Sequence, residues 1–398
     1  MNGPAVTGPF GLGAALAERE LAGLLRNRIA TDGASGGRLR VAGRDYLNFS
    51  ANDYLGLADH PAIKTAFKAG IERYGAGAGA SPLVTGYSRA HQELEETLAE
   101  WLGVEAVLLF NCGFSANQAV LKALLGKEHL LWQDKFNHAS LQEMGSQLPC
   151  KMKRFAHNDM AALERQLEPN RGLIVSEGVF SMDGDQGPWG ELATLAARSG
   201  NWLMIDDAHG LGVLGPEGRG TLAAQGVNPA CVHIQMGTFG KALGVAGAFV
   251  GGSRELVEYL VNFARHYVYS THMPAAQACA VSKSIELVRA ADEARAHIGQ
   301  LIARFRQGAQ GLGWQLGASA TPIQPLLVGE SSAALQLAER LRDRGVWAGA
   351  IRPPTVPVGT ARLRITLSAA HREQDVDRLL DALGASPAAT TVGEACHG

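Results

Sequence analysis

One lysine in the sequence is placed as a reactive amine would be. Lys241 lies within His233-Ile-Gln-Met-Gly-Thr-Phe-Gly-Lys-Ala-Leu-Gly244, at the end of the apolar run 231–236 and among glycines at 237, 240 and 244. The nearest formal charges along the chain are Arg219 and Arg254. Low dielectric disfavours an ammonium, lowers its pKa and frees the amine for imine formation with a carbonyl. A lysine snorkelling out of a glycine-rich turn would give the same local pattern. What else the fold brings to this turn decides between the two.

From residue 104 onward, apolar segments alternate with helical ones. Strands are expected at 105–110, 129–133, 151–155, 172–177, 202–206 and 231–236, with helices at 115–125, 138–147, 159–167 and 190–199. This alternation predicts an α/β fold with a mainly parallel central sheet and helices on both faces. In such sheets ligands bind beyond the carboxyl ends of the strands. The strand ends here are Glu177, which leads to Ser181, then Asp206-Asp-Ala-His209, then Gly237-Thr238, which leads to Lys241. Each residue alone has a plainer role. Asp206 could cap a helix, His209 could be a satisfied core histidine, and Thr238 and Ser181 could be turn residues.

Together they match the needs of one cofactor, pyridoxal phosphate. A buried lysine forms the imine with its aldehyde. A carboxylate at the pyridine nitrogen keeps the ring protonated and so a better electron sink. Hydroxyl or imidazole donors can bond the phenolic oxygen. Backbone N–H groups at a helix start bind the phosphate, and Asn111-Cys-Gly-Phe-Ser-Ala-Asn117 reads as strand, glycine turn and helix N-terminus. His138, opening the next helix, is placed to stack on the ring.

The flanking segments frame this core. Residues 1–13 read as poorly ordered, 14–30 as a helix, 40–49 as a hairpin turning at Ala42-Gly43, 50–57 as a loop, and 60–74 and 89–102 as helices. Residues 75–80, Gly-Ala-Gly-Ala-Gly-Ala, read either as a flexible linker or as a loop where backbone approaches a ligand or partner chain. A helical span at 274–310 is followed by strands at 322–328, 346–350 and 362–367 and helices at 331–344 and 372–383. The expected organisation is an N-terminal helix and hairpin segment at 1–45, a large cofactor-binding domain at 46–290, a small α+β domain at 291–384 and a disordered tail at 385–398. The net charge of −2 without a basic block speaks against nucleic acid and anionic membranes. Five scattered cysteines without a CxxC pair build neither a zinc site nor a disulfide framework, and no metal is expected. The absence of a positive leader or a long apolar run predicts a cytoplasmic protein.

The chain resembles the α-oxoamine synthase family of fold-type I pyridoxal phosphate enzymes. The resemblance rests on Tyr46-Leu-Asn-Phe-Ser-Ala-Asn-Asp-Tyr-Leu-Gly-Leu57, Glu177-Gly-Val-Phe-Ser-Met-Asp-Gly-Asp185, Asp206-Asp-Ala-His-Gly210, Thr238-Phe-Gly-Lys241, Phe263-Ala-Arg-His266, Tyr269-Ser-Thr271 and Ile351-Arg-Pro-Pro-Thr-Val-Pro357. It implies that Lys241 carries the cofactor, Asp206 pairs with the pyridine nitrogen, His209 and Ser181 lie near the phenolic oxygen, and His138 stacks. Gly113, Phe114 and Thr238 would hold the phosphate, with Ser270 or Thr271 helping from the other subunit of a homodimer. Asn52 and Arg364 would lie near an amino acid carboxylate. Arg352, Thr355 and Arg26 would serve the acyl substrate, although a solvated surface position fits Arg26 as well.

The resemblance also implies an activity. Arg352-Pro-Pro-Thr-Val-Pro357 and Ala361-Arg-Leu-Arg364 point to condensation of L-alanine with a pimeloyl thioester, on CoA or a carrier protein, in biotin biosynthesis. Ser81, where glycine-using relatives tend to carry Thr, leaves room for the alanine methyl, a discrimination of about 1–3 kcal/mol. Two departures stand out. Cys112 replaces a frequent Ser before the Gly-Phe turn, and a thiol is a weak donor. Gly79-Ala-Ser-Pro82 lacks a charge often found there. The alternatives are a 2-amino-3-ketobutyrate ligase, a 5-aminolevulinate synthase or a long-chain acyl condensing enzyme, then an aminotransferase. A cofactor-binding regulator is disfavoured because no DNA-binding segment or basic patch precedes the domain.

Overall fold

A computed structural model describes residues 10–34 and 36–385. Most of the expected tail 385–398, and the first nine residues of the segment read as poorly ordered, lie outside the described residues. The strands in chain order are β1 (Arg38–Val41), β2 (Arg44–Asn48), β3 (Ala106–Phe110), β4 (Leu130–Asp134), β5 (Lys151–Phe155), β6 (Gly172–Glu177), β7 (Trp202–Asp206), β8 (Ile234–Thr238), β9 (Ala248–Gly252), β10 (Ile323–Gly329), β11 (Val346–Trp347), β12 (Gly349–Ile351) and β13 (Ala361–Thr366).

Seven of them form the central sheet, in the order β3-β9-β8-β7-β6-β4-β5. The pairings among β4 to β8 are all parallel. The sequence reading missed β9, which runs antiparallel to both β3 and β8. Its Gly251 and Gly252, together with Gly244 and Gly247 before it, look like loop chemistry. Yet all five residues of β9 are buried, and burial against neighbours outweighs local propensity in a strand.

The sheet is apolar on both faces, as a parallel sheet must be. On one face Leu131, Leu173, Met204 and Ile234 pack with Ala116, Val120, Leu141 and Leu260. On the other, Trp132, Ile174, Leu203 and Ile205 pack with Trp189, Leu192 and Leu195. The two indoles find acceptors: Trp132 Nε1 donates to Gln166 O at 3.0 Å and Trp189 Nε1 to Glu177 O at 3.3 Å. The second bond anchors the end of β6, where a site residue sits.

A second sheet, β10-β13-β12, is antiparallel and packs against the helices Ser331–Asp343 and Glu373–Gly384. The β1–β2 hairpin turns at Ala42 and Gly43, both with positive φ, and β2 pairs in parallel with β11. Several boundaries differ from expectation. The helix expected at 14–30 covers only Leu12–Leu21, because Gly23 adopts φ +66 and no residue of that helix is buried to reward its continuation. The span 274–310 is two helices, Ala275–Arg289 and Asp292–Gly311. The strand expected at 346–350 is split into β11 and β12, and the helices Arg254–Phe263 and Arg265–Val268 were not anticipated. Among the described residues no helix is long and apolar enough to cross a membrane.

Candidate active site

The strand ends meet as parallel pairing requires. Glu177, Asp206 and Met236 are in-register neighbours on β6, β7 and β8, so their side chains share one face of the sheet. They line a cavity of about 180 Å³ together with Gly113, Phe114, Asn117, His138, His209, Thr238 and Lys241. Ten residues are assigned from sequence to chemistry or cofactor, and Ser181 is one that does not line this cavity. Seven line this cavity (Lys241, His138, Asp206, His209, Gly113, Phe114 and Thr238). Ser270 and Thr271 do not; they border a separate small cleft beside Asn111, whose Nδ2 donates to Thr271 O at 2.8 Å.

Lys241 is half-buried as a residue, but its Nζ lies 2.7 Å from His209 Nε2. On the other side of that ring, Nδ1 is 2.6 Å from Tyr54 OH. Burial lowers the Lys241 pKa from 10.5 to about 8, with Asp206 and Glu177 opposing the drop. Burial, then the Lys241 and Arg364 charges, hold His209 well below its ordinary value. A neutral imidazole has one donor and one acceptor nitrogen, so it can serve the lysine on one side and the tyrosine on the other.

Asp206 is fixed by a polar network. Asn117 Nδ2 donates to Asp206 Oδ2 at 2.8 Å and to Ser140 Oγ at 2.9 Å. Ser140 N–H donates to His138 Nδ1, so that nitrogen is an acceptor and also receives the Ser140 hydroxyl at 2.9 Å. Ala208 N–H donates to Asp206 Oδ1 at 3.1 Å. Burial lowers the His138 pKa, opposed by Asp206. Burial, reinforced by Asp206, raises Glu177 well above the usual carboxyl range. Glu177 Oε1 and Asn117 Oδ1 are buried without a hydrogen-bond partner.

The helix Gly113–Leu124 starts at this cavity, and no side chain caps it. Its first N–H groups and its dipole suit an anion. Cys112 sits at the N-cap, exposed, with Sγ 3.4 Å from Ser115 Oγ. Thr238 Oγ1 donates to Gly247 O at 2.9 Å and accepts from Gly240 N–H at 3.3 Å, so its one proton is engaged within the turn.

The remaining predicted residues cluster nearby or apart. Ser181 is buried, and its carbonyl accepts from Arg364 Nε at 2.6 Å. Arg364 Nη1 also donates to Asn52 Oδ1 and Thr366 Oγ1, both at 3.0 Å. Arg26, Arg352 and Thr355 share a different cavity of about 440 Å³ with Arg19. There Arg26 Nη2 reaches Thr355 Oγ1 at 3.5 Å, and Arg352 donates to the Gly23 carbonyl. Ser81 is half-buried before the turn Pro82–Gly86 and lines neither cavity. Sequence reasoning missed Glu177, Asn117, Ser140 and Tyr54 as site residues. Glu177 was visible as a strand end one pairing away from Asp206; the other three are ordinary polar residues whose burial alone marks them.

The donor set suits pyridoxal phosphate: one amine of lowered pKa, the Asp206 and Glu177 carboxyl groups, the His138 and His209 imidazoles and an uncapped helix start, all at one cavity.

Comparison with known proteins is consistent with this set. The family described as aminotransferase class I and II matches residues 44–383. An 8-amino-7-oxononanoate synthase of Aeromonas hydrophila subsp. hydrophila is 89% identical over 398 residues, covering 100% of both chains. A protein of the same name from Cronobacter sakazakii is 52% identical over 373 residues, covering 93% of this chain and 97% of its own. A solved structure of a Sphingomonas wittichii serine palmitoyltransferase superposes with a TM-score of 0.89 at 28% identity, covering 96% of this chain and 97% of that one.

Proposed function

The chain belongs to the class I and II aminotransferase family, and from that premise we propose that it condenses L-alanine with a pimeloyl thioester to give 8-amino-7-oxononanoate, carbon dioxide and the free thiol. The reaction is a step of biotin biosynthesis, carried out in the cytoplasm with CoA or a carrier protein as the acyl donor. The observation that carries this reading is the convergence of Lys241, His209, Asp206 and an uncapped helix start on one cavity. When bound there, pyridoxal phosphate supplies an aldehyde that captures amines and a protonated ring that accepts electron pairs released at the amino acid Cα.

The chain's own residues have separable tasks. Lys241 holds the cofactor and then moves the Cα proton. With a pKa of about 8, about a tenth of its amine is free at pH 7, enough for a base that must also return the proton. His209 and Tyr54 hold that amine in place. Asp206, oriented by Asn117, would hold the protonated pyridine nitrogen, and Ser181 would serve the phenolic oxygen. His138 would support the ring. The N–H groups of Gly113 and Phe114 would hold the phosphate, with Thr238 beside them.

Arg364, whose planar fork suits a carboxylate, receives the amino acid with Asn52. Arg26, Arg352 and Thr355 receive the acyl donor, and Ser81 shapes the place of the alanine methyl. Ser270 and Thr271 act across a homodimer interface, on the partner's cavity. In this reading the large domain is 46–290 and the small domain 291–384. The deciding experiment is product mass analysis of purified protein with pyridoxal phosphate, pimeloyl-CoA and L-alanine. The mass of 8-amino-7-oxononanoate is expected. No product with alanine, alongside turnover of glycine or of a long-chain acyl-CoA, would overturn the assignment.

A further inference from the structure

The turn that ends at the cavity-lining His138 and the loop that follows the cavity-lining Glu177 are tied together by a residue that the proposed reaction does not use. His157 follows β5. Its Nδ1 lies 3.0 Å from Asp134 Oδ1 and its Nε2 2.7 Å from Asp185 Oδ2. The Asp134 carboxyl, wholly buried at the end of β4, also accepts the backbone N–H groups of Phe136 and Asn158, each at 2.8 Å. Asp185 Oδ2 accepts from Asn158 Nδ2 at 3.1 Å. A carboxylate only accepts, so a ring bonded to one at each nitrogen must donate from both, which makes it an imidazolium. Phe136 stacks on the ring at 4.5 Å and Phe180 meets it edge-on at 4.4 Å. Burial pulls the His157 pKa down, but hydrogen bonds and charge from Asp134 and Asp185 raise it to about 9. Those two carboxylates are the charged groups that face it, with Asn158 and the two phenyl rings completing its surroundings.

Asp134 opens the short turn that ends at His138. Asp185 closes the loop that carries Ser181. The far side of that loop is held by the smaller sheet and its flank: Arg362 pairs with Asp183, Arg364 Nε donates to Ser181 O, and the Ser319 and Thr321 hydroxyls donate to Gly184 O at 3.0 and 2.8 Å. Two further links run beside His157: Asn158 donates its N–H to Asp134 and its Nδ2 to Asp185 Oδ2, and the Glu177 carboxyl is met by the N–H groups of His138 and Ser181. His157 itself does not line the cavity.

We propose that His157 is a positioning residue: an imidazolium clamped between Asp134 and Asp185, it fixes the His138 turn against the Ser181 loop and so sets the place of His138 and Glu177 in the cavity. The proposal rests on reading the cavity as the pyridoxal phosphate site.

The test uses the full chain in three forms: wild type, His157→Gln and Asp185→Asn. Pyridoxal phosphate is removed and titrated back by fluorescence, and kcat and KM for L-alanine are measured on the reloaded enzymes. In His157→Gln the cofactor Kd is expected to rise about tenfold and kcat to fall about tenfold, because sub-ångström displacement of positioning groups is amplified in rate. KM for alanine is expected to stay within about threefold, since Arg364 and Asn52 are untouched. Asp185→Asn should move Kd and kcat in the same direction. Folded His157→Gln with Kd and kcat within about twofold of wild type would overturn the proposal; if that variant does not fold, unchanged Kd in Asp185→Asn overturns it. Spectra of ¹⁵N-histidine-labelled holoenzyme at pH 7.5 should show both His157 nitrogens protonated, and a neutral tautomer would refute the clamp. If the wild type binds no pyridoxal phosphate, the cavity assignment fails instead, and the nitrogen spectrum of the full chain still reports on the ring.

Discussion

Lys241→Met on the cofactor-free protein gives a direct measure of what the reactive amine does to stability. Burial lowers the Lys241 pKa from 10.5 to about 8, a difference of about 3 kcal/mol between folded and unfolded chains. The residue is half-buried, so partial solvation of its stem makes that an upper figure. The sign follows from proton counting. Below pH 8 both states hold the proton, and the folded state bears the full penalty of an enclosed ammonium. Between pH 8 and 10.5 the unfolded chain binds more protons than the folded one, so wild-type stability rises with pH. Above 10.5 the penalty is gone. Lys241→Met removes the titrating group. Its loss of the His209 contact and its altered packing are independent of Lys241 ionisation. The stability difference, variant minus wild type, should therefore be up to about 3 kcal/mol more favourable to the variant at pH 7 than at pH 10.5. Urea unfolding followed by tryptophan fluorescence across that range measures it. A difference that stays flat with pH, or that grows toward alkaline pH, would refute the claim that the fold holds this amine at depressed pKa.

Three other outcomes are expected. Asp206→Asn should keep its circular dichroism while kcat/KM falls at least about 100-fold, because a neutral amide cannot hold the ring proton; unchanged turnover would remove Asp206 from the chemistry. Cys112→Ser replaces a weak donor with a hydroxyl at the uncapped helix start, so the Kd for pyridoxal phosphate should fall by about two- to tenfold, the worth of one hydrogen bond; equal affinity would mean that position 112 does not meet the phosphate. Gly184→Ala would put a Cβ 2.3 Å from Ile323 O and 2.4 Å from Ser319 Oγ at a φ of +72. Denaturant unfolding should show a loss of about 2–4 kcal/mol, and a loss below about 0.5 kcal/mol would show that the Ser181 loop is not tightly seated.

Much of the site was legible because parallel strands deliver their carboxyl ends to one edge. Once 172–177, 202–206 and 231–236 were read as strands, Asp206, His209, Thr238 and Lys241 had to converge, and they do. What escaped was what depends on burial and on non-local pairing. Strand β9 hides behind glycines that only its neighbours make strand-like. Residues 22–30 continue a helical apolar pattern, yet Gly23 and the lack of anything to pack against end the helix at Leu21. Tyr54 and Asn117 look like any loop tyrosine and any helix asparagine until the fold sets them against His209 and Asp206. The proton of Thr238 is spent inside its own turn, which no spacing rule reveals. Ser270 and Thr271 border a cleft apart from that cavity, a separation that sequence spacing does not reveal.

The antiparallel strand β9 has a consequence for assembly. Because β9 doubles back on β8, Lys241 sits in a hairpin loop closed by contacts between residues nine apart, Thr238 and Gly247. The pairing of Asn117 with Asp206 joins residues 89 apart, and that of Arg364 with Asn52 joins residues 312 apart. Hairpins close in about 1–10 μs, whereas contacts distant in sequence must first meet the entropy of closing long loops. The amine therefore belongs to the most local part of the site and the Arg364–Asn52 pair to the least. A folding chain would shape its lysine loop early and bring Arg364 to Asn52 last.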